Sequence, residues 1–267
     1  MKSEAKILDL FDLSGQLAIV TGGLGRLGSE YVKILQAAGS KTAIIDVAKG
    51  SGAGVFQADI TNKAQVQSVF KQIVTTMGVP TILINNAGLD SPPDAPAGEN
   101  GPFEDYPETS WEAVIDSNLK GTFLVSQEFL RHLKASDRSG SIINISSTYG
   151  LVSPDQSLYD FRRKNGEEFY KPVAYSVAKS GVLNFTRWLA EYCRQRGIKA
   201  RVNTLVPGGV FANQNEEFLR AYNQRTSLGR MARVEDYNAA ILFLASEKAS
   251  AYMTGSTLVI DGGWTTR

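Results

Sequence analysis

Leu17-Ala18-Ile19-Val20-Thr21-Gly22-Gly23-Leu24-Gly25-Arg26-Leu27-Gly28 decides the fold. Leu17 to Thr21 is an uncharged, mostly apolar run of the length of a buried strand. Gly23, Gly25 and Gly28 then stand at G-x-G-x-x-G spacing, and residues 27–38 carry apolar side chains at helical intervals. Strand, glycine turn and helix start, in that order, build a cradle for a phosphate. The first glycine permits the tight turn and the second admits a pyrophosphate to the backbone. The third lets helix and strand pack closely, with the free N–H groups of the helix facing the phosphates. A glycine cluster alone also serves ordinary turns, so the rest of the chain must carry the reading.

Outward from this stretch, strands are expected at 42–46, 55–58, 81–84, 141–146, 200–205 and 257–260. Helices are expected at 27–38, 63–77, 111–133, 173–196 and 234–245. Strand and helix alternate to the end, which predicts a parallel sheet covered on both faces. No repeat or linker divides the 267 residues, so the expected organisation is one α/β domain over 13–267 behind an N-terminal extension, 1–12. Two segments break the rhythm and are expected as loops: 90–106, with Pro92, Pro93, Pro96 and Pro102 and with Pro107 beside it, and 152–171, with four acids and the basic run Arg162-Arg163-Lys164. Long loops in a compact domain are more often functional than accidental.

Composition narrows the function. A net charge of +1 offers no field for nucleic acid or an anionic membrane, and no apolar run reaches the roughly 20 residues of a membrane span. Residues 1–11 mix charges with apolar residues and lack the order of a signal peptide. The single cysteine, Cys193, fits a reducing cytoplasm. The single histidine, His132, leaves no His-based triad or multi-His metal site, so no metal is expected, and its helical setting suggests a structural role.

Asp46 closes the second strand 18 residues beyond Gly28. A carboxylate there accepts hydrogen bonds from an adenosine ribose and repels a 2′-phosphate. With Val47 next, NAD(H) is favoured over NADP(H). Arg26, inside the turn, is read as solvent-facing, although a cation there could help to hold a phosphate. Asp59 ends the third strand beside Ile60, where it caps an adenine pocket or merely terminates the strand. Tyr175 and Lys179 stand four apart on one helix and therefore on one face. A tyrosine that exchanges protons near neutrality needs a pKa well below about 10, and an adjacent ammonium supplies that shift. Ser147, Asn118, Tyr175 and Lys179 together make a chemical set. Tyr175 moves the substrate proton, Lys179 stabilises its phenolate and holds a nicotinamide ribose, Ser147 hydrogen-bonds the reacting oxygen, and Asn118 anchors a relay water.

The same motifs resemble the short-chain dehydrogenase/reductase family. Thr21–Gly28, Asn85-Asn86-Ala87-Gly88, Asn118, Ile145-Ser146-Ser147, Tyr175–Lys179, Pro207-Gly208, Tyr252–Gly255 and Asp261-Gly262-Gly263 follow the family's order from about residue 11 onward. The resemblance implies a Rossmann-type, doubly wound sheet of seven parallel strands in a three-layer α/β/α sandwich, and a homotetramer or homodimer. It places Gly22, Gly23, Gly25, Arg26, Leu27, Gly28, Asp46, Asp59, Ile60, Asn85, Ala87, Gly88, Tyr175, Lys179, Pro207, Gly208 and Val210 at the dinucleotide. It selects Ser147 over Ser146, because the family's serine lies three before a glycine, here Gly150. It also points to members of bacterial surface-sugar and nonulosonic acid pathways.

Three departures stand out. The short branch of the family has T-G-x-x-x-G-x-G, and Arg26 occupies its middle glycine; the spacing here is the habit of the larger sugar-nucleotide branch, but length and C-terminal motif fit the short one. Ala212, followed by Asn213, replaces a threonine that often holds the nicotinamide amide. The 28 residues from Ser147 to Tyr175 are about twice the usual spacing, so 152–171 is in effect an insertion beside the site. With 90–106 and 211–225 it would surround a polar small-molecule substrate. The leading expectation is an NAD(H)-dependent oxidoreductase acting on a sugar, sugar acid or related alcohol. The alternatives are a 3-oxoacyl thioester reductase and a non-catalytic dinucleotide sensor.

Overall fold

The computed structural model describes residues 7–91 and 98–266. The first half runs β1 (Leu17–Thr21), α1 (Arg26–Ala37), β2 (Lys41–Asp46), β3 (Val55–Gln57), α2 (Lys63–Met77), β4 (Ile82–Asn85), α3 (Glu108–Ile115) and α4 (Gly121–Ser136). The second half runs β5 (Gly140–Ile145), α5 (Thr148–Leu151), α6 (Asp160–Lys164), α7 (Val173–Gln195), β6 (Ala200–Pro207), α8 (Glu216–Arg225), α9 (Asn238–Ala245), α10 (Glu247–Ser250) and β7 (Thr257–Ile260). The seven strands form one parallel sheet in the order β3-β2-β1-β4-β5-β6-β7. From β1 the chain winds outward to β3, then crosses back to lay β4 on the free side of β1. Crevices for ligands open at such a reversal, outside the C-terminal strand ends.

Alternate residues of each strand feed opposite layers of the core. Ile19, Ile45, Leu83 and Ile142 pack with Phe70, Phe129 and Leu189. Ala18, Val20, Ile84 and Ile143 pack with Tyr31, Leu35, Tyr237 and Leu244 on the other face. This two-sided burial is why the strands read as continuous apolar runs rather than alternating ones. Each fully buried aliphatic side chain contributes roughly 1.5–3 kcal/mol. Asn62 caps α2 by accepting from the backbone N–H groups of Ala64 and Gln65, at 3.0 and 3.2 Å.

Strand ends lie within a residue of expectation except in β6, which runs on to Pro207, two residues past 205: β4 and β5 end at Asn85 and Ile145, and β3 at Gln57. The helix expected at 111–133 is α3 and α4 joined through a π-turn, Asp116–Lys120. Segment 152–171 is more than a loop, since it holds a 3₁₀ turn, Gln156–Tyr159, and α6. Arg163 staples it by donating to the carbonyls of Phe169, at 2.9 Å, and Gln156, at 2.7 Å. Of the extension 1–12, Ile7–Leu10 forms a 3₁₀ turn docked by Ser246 Oγ donating to Leu10 O at 2.5 Å; residues 1–6 lie outside the described residues. So do Pro92, Pro93 and Pro96 of the other loop. His132 stacks on Phe70, with centroids 6.0 Å apart.

Candidate active site

The glycine turn is fixed from several sides. Gly22 has φ +62°, and a Cβ on Gly28 would lie 2.1 Å from Gly22 O, so neither position tolerates a side chain. Asn86 Nδ2 donates to the carbonyls of Thr21 and Gly22, both at 3.1 Å. Thr21 Oγ1 accepts from the backbone N–H groups of Asn86 and Ala87, at 3.0 and 3.1 Å. Asp46 ties the turn to β2, since Oδ2 accepts from Leu24 N at 3.1 Å and Oδ1 from Ala48 N at 3.0 Å.

A cavity of 940 Å³ opens over this turn. Gly22, Gly25, Arg26, Leu27, Asp46, Asp59, Ile60, Ala87, Gly88 and Val210 line it. Asp59 Oδ1 accepts from the backbone N–H and hydroxyl of Thr61, both at 2.8 Å, so the residue also turns the chain after β3. Arg26, expected both to face solvent and to stand at the dinucleotide, is exposed and lines this cavity and the one beside it. Gly23, Gly28 and Asn85 line neither. A Cβ on Gly23 would meet the Ile44 side chain at 2.8 Å, so Gly23 and Gly28 serve packing. Asn85 was expected in the dinucleotide channel, but its side chain turns inward. Its Nδ2 donates to Ser126 Oγ at 2.9 Å and to Asn144 Oδ1 at 2.8 Å, because a buried amide must find internal partners.

The second cavity, of 670 Å³, shares Arg26, Leu27, Asn86, Gly88 and Val210 with the first. Asn118, Ser147, Tyr175, Lys179, Pro207 and Gly208 all line it. The two expected serines separate cleanly. Ser146 Oγ donates to Lys179 O at 2.8 Å, which fixes it to the backbone of α7. Ser147 caps α5, accepting from Tyr149 N at 3.2 Å, and its side chain hydrogen-bonds Tyr175. Gly150 permits this arrangement, since a Cβ there would lie 2.5 Å from Ser146 Oγ and 2.7 Å from Lys179 O. Lys179, 5% exposed, donates from Nζ to Ile145 O at 3.0 Å. Asn118 sits on the π-turn and donates from Nδ2 to Leu89 O at 2.6 Å and Val114 O at 2.9 Å. Its buried Oδ1 has no partner among the described residues, and it flanks the space beside Gly88 that Lys179 Nζ also borders. Insertion of a π-turn into a helix commonly marks a functional position.

Burial and nearby groups act on both Tyr175 and Lys179. Burial pushes the Tyr175 phenol up to about 12, Asp90 adds to the rise, and the Ser147 hydrogen bond opposes it. Burial lowers the Lys179 ammonium to about 8, while Asp90 acts to raise it. Burial thus disfavours the charged form of both groups, and the Ser147 hydrogen bond favours the phenolate.

Beyond the expected residues, the cavity is walled by both enlarged loops. Asp90 forms an ion pair with Lys171, whose Nζ stands 5.7 Å from the Tyr175 ring centroid. Tyr149, Tyr159, Phe218 and Tyr222 supply an aromatic surface, with Tyr222 stacked on Trp264 at 4.6 Å. Tyr222 Oη accepts from Gly209 N at 2.6 Å, and Tyr237 Oη donates to Gly208 O at 3.1 Å, so two phenols pin the turn after β6. At the position of the family's threonine, Ala212 N donates to Gln214 Oε1 at 2.7 Å, and Gln214 lines the cavity. No periodicity signals these residues; only their place in long segments next to the motifs did.

The family model described as enoyl-(acyl carrier protein) reductase matches residues 27–265. The chain is 32% identical to a D-arabinitol 2-dehydrogenase [ribulose-forming] of Scheffersomyces stipitis, over 98% of both chains. Its fold superposes on a short chain dehydrogenase from Leptospira borgpetersenii with bound NAD+, with a TM-score of 0.84 and 34% identity over 98% of this chain and 96% of the other. A gluconate 5-dehydrogenase from Burkholderia cenocepacia in complex with NADP and tartrate superposes with a TM-score of 0.82 and 26% identity, over 98% of this chain and all of the other. Motif order, sheet topology and these likenesses agree: the chain belongs to the short-chain dehydrogenase/reductase family, whose fold binds a nicotinamide dinucleotide.

Proposed function

We propose that this protein is an NAD(H)-dependent dehydrogenase/reductase that interconverts a secondary alcohol and a ketone on a polyhydroxylated substrate. The observation that carries the reading is the meeting of Ser147, Tyr175, Lys179 and the unpartnered Asn118 Oδ1 in one cavity that shares a wall with the glycine-turn cavity. Two adjoining cavities suit the two halves of a dinucleotide, with Gly22, Arg26 and the start of α1 toward its pyrophosphate and Asp46 toward the adenosine ribose. The nicotinamide supplies the hydride donor or acceptor. Tyr175 Oη gives or takes the proton on the reacting oxygen, which Ser147 Oγ holds by a hydrogen bond. Lys179 fixes the ribose, and Asn118 Oδ1 accepts from a proton-relay water.

Asp46 favours NAD(H) because its carboxylate, already aimed at the turn by Leu24 and Ala48, repels a 2′-phosphate. Asp90, Arg162, Gln214 and Asn215 in the substrate wall suit hydroxyl groups better than an acyl chain, which weighs against a thioester reductase. Phe123, Trp188 and Tyr192, exposed along α4 and α7, support self-association of two copies. The test is NADH absorbance with a panel of polyols and ketoses, for the wild type and Asp46→Ala. Turnover with NAD+, and a preference for NAD+ over NADP+ that falls at least about tenfold in the variant, is the expected result. An unchanged cofactor ratio would remove Asp46 from the ribose.

A further inference from the structure

Asp90 and Lys171 come from the two enlarged loops and meet across the mouth of the active-site cavity. Lys171 is held in place: its backbone N–H donates to Gln156 Oε1 at 2.8 Å, and the neighbouring Tyr170 N–H donates to Asn100 O, on the opposite loop, at 2.6 Å. Its side chain is 13% exposed. Of the carboxylate, Oδ2 takes the lysine, and Oδ1 accepts no hydrogen bond among the described residues. An ammonium has three N–H donors, so the pair still presents donors and an acceptor side by side next to Tyr175. A hydroxyl both donates and accepts, so it satisfies both members without adding charge.

Two other cations of the wall already have partners. Lys179 Nζ donates to Ile145 O. Arg162 donates to Glu167 at 2.7 Å and lies 3.9 Å over the Phe169 ring. Arg26, the first residue of α1, lies where the two cavities adjoin. A substrate carboxylate that approached Lys171 would also face the Asp90 carboxylate paired with it, which repels a second anion.

Resting on the oxidoreductase reading above, we propose that the Asp90–Lys171 pair recognises the hydroxyl group vicinal to the reacting carbon, so that the enzyme selects neutral vicinal diols over both monohydric alcohols and sugar acids. Asp90 accepts from that hydroxyl and Lys171 donates to it. The reacting hydroxyl stays with Ser147 and Tyr175.

The test measures kcat/KM with NAD+ for trans-1,2-cyclohexanediol, cyclohexanol, D-arabinitol and D-gluconate, using the full chain and its Lys171→Met, Lys171→Arg and Asp90→Ala variants. The wild type should prefer the diol to cyclohexanol by at least about tenfold, the scale of one hydrogen bond to a charged group. It should also prefer arabinitol to gluconate. Lys171→Met and Asp90→Ala should bring the diol-to-cyclohexanol ratio close to one, and Lys171→Arg should retain more of it. Effects of the lost charge on Tyr175 act on both alcohols and cancel in the ratio, and NADH affinity reports folding. A ratio that stays the same in all the proteins, or gluconate preferred over arabinitol, would overturn the proposal. No Tyr175-dependent turnover of any alcohol with either dinucleotide would instead overturn the oxidoreductase reading itself.

Discussion

Burial works against Tyr175. Enclosure favours the neutral phenol, so the charge required on its oxygen during alcohol oxidation depends on the neighbours. Among the groups that face it, Ser147 favours the phenolate by hydrogen bonding and Asp90 opposes it. Lys171, ion-paired with Asp90, stands 5.7 Å from the ring centroid, and Lys179 stands 5.6 Å from it. In the proposed mechanism oxidation needs the deprotonated tyrosine, so its rate should rise with pH through the tyrosine's apparent pKa; reduction needs the phenol, so its rate should fall through the same region. Asp90→Asn should move the oxidation limb to lower pH, and Lys171→Met, which leaves the carboxylate unopposed, to higher pH. Superimposable pH–rate profiles for the three proteins would refute this account of the tyrosine's surroundings. Asp90 itself was not legible in the sequence. Its partner lies 81 residues away, and no spacing rule links two loops that meet only after folding.

At the scale of elements, α5 and α7 set the distance between Ser147 and Tyr175. Gly150 is where the two helices touch, and its close approach is to Lys179 backbone, which cannot rotate away. Gly150→Ala should therefore cost about 1–3 kcal/mol, as overpacking does, lowering Tm by several degrees in a thermal melt and reducing kcat. A variant with wild-type Tm and kcat would mean that the helices have room to part. The strands were legible to within a residue, or two at the end of β6, because a strand buried on both faces must be apolar throughout. The π-turn that carries Asn118 was not, since its apolar spacing passes for an uninterrupted helix. The order within 152–171 was hidden too: it depends on Arg163 reaching backbone carbonyls and on Arg162 lying over Phe169. Such contacts leave no repeat in the sequence.

For the whole molecule, the sheet reversal beside β1 brings the glycine turn and Ser147 to the same edge, and α7 lays Tyr175 against them. The exposed Trp188 and Tyr192 stack at 5.2 Å on the outer face of α7, on the same helix as the active-site residues. A charge there, as in Trp188→Glu, should shift the protein to a smaller species in analytical ultracentrifugation; a wild type already monomeric would contradict the proposed self-association. In the proposed function the paired cavities perform alcohol–ketone interconversion through Tyr175. The most direct measurement is NADH formation and consumption by the wild type and Tyr175→Phe across the polyol and ketose panel, alongside NADH binding. Turnover should fall by at least about 10²-fold, the scale of a lost general acid–base, with NADH affinity nearly unchanged. Equal turnover by the two proteins would contradict the claim.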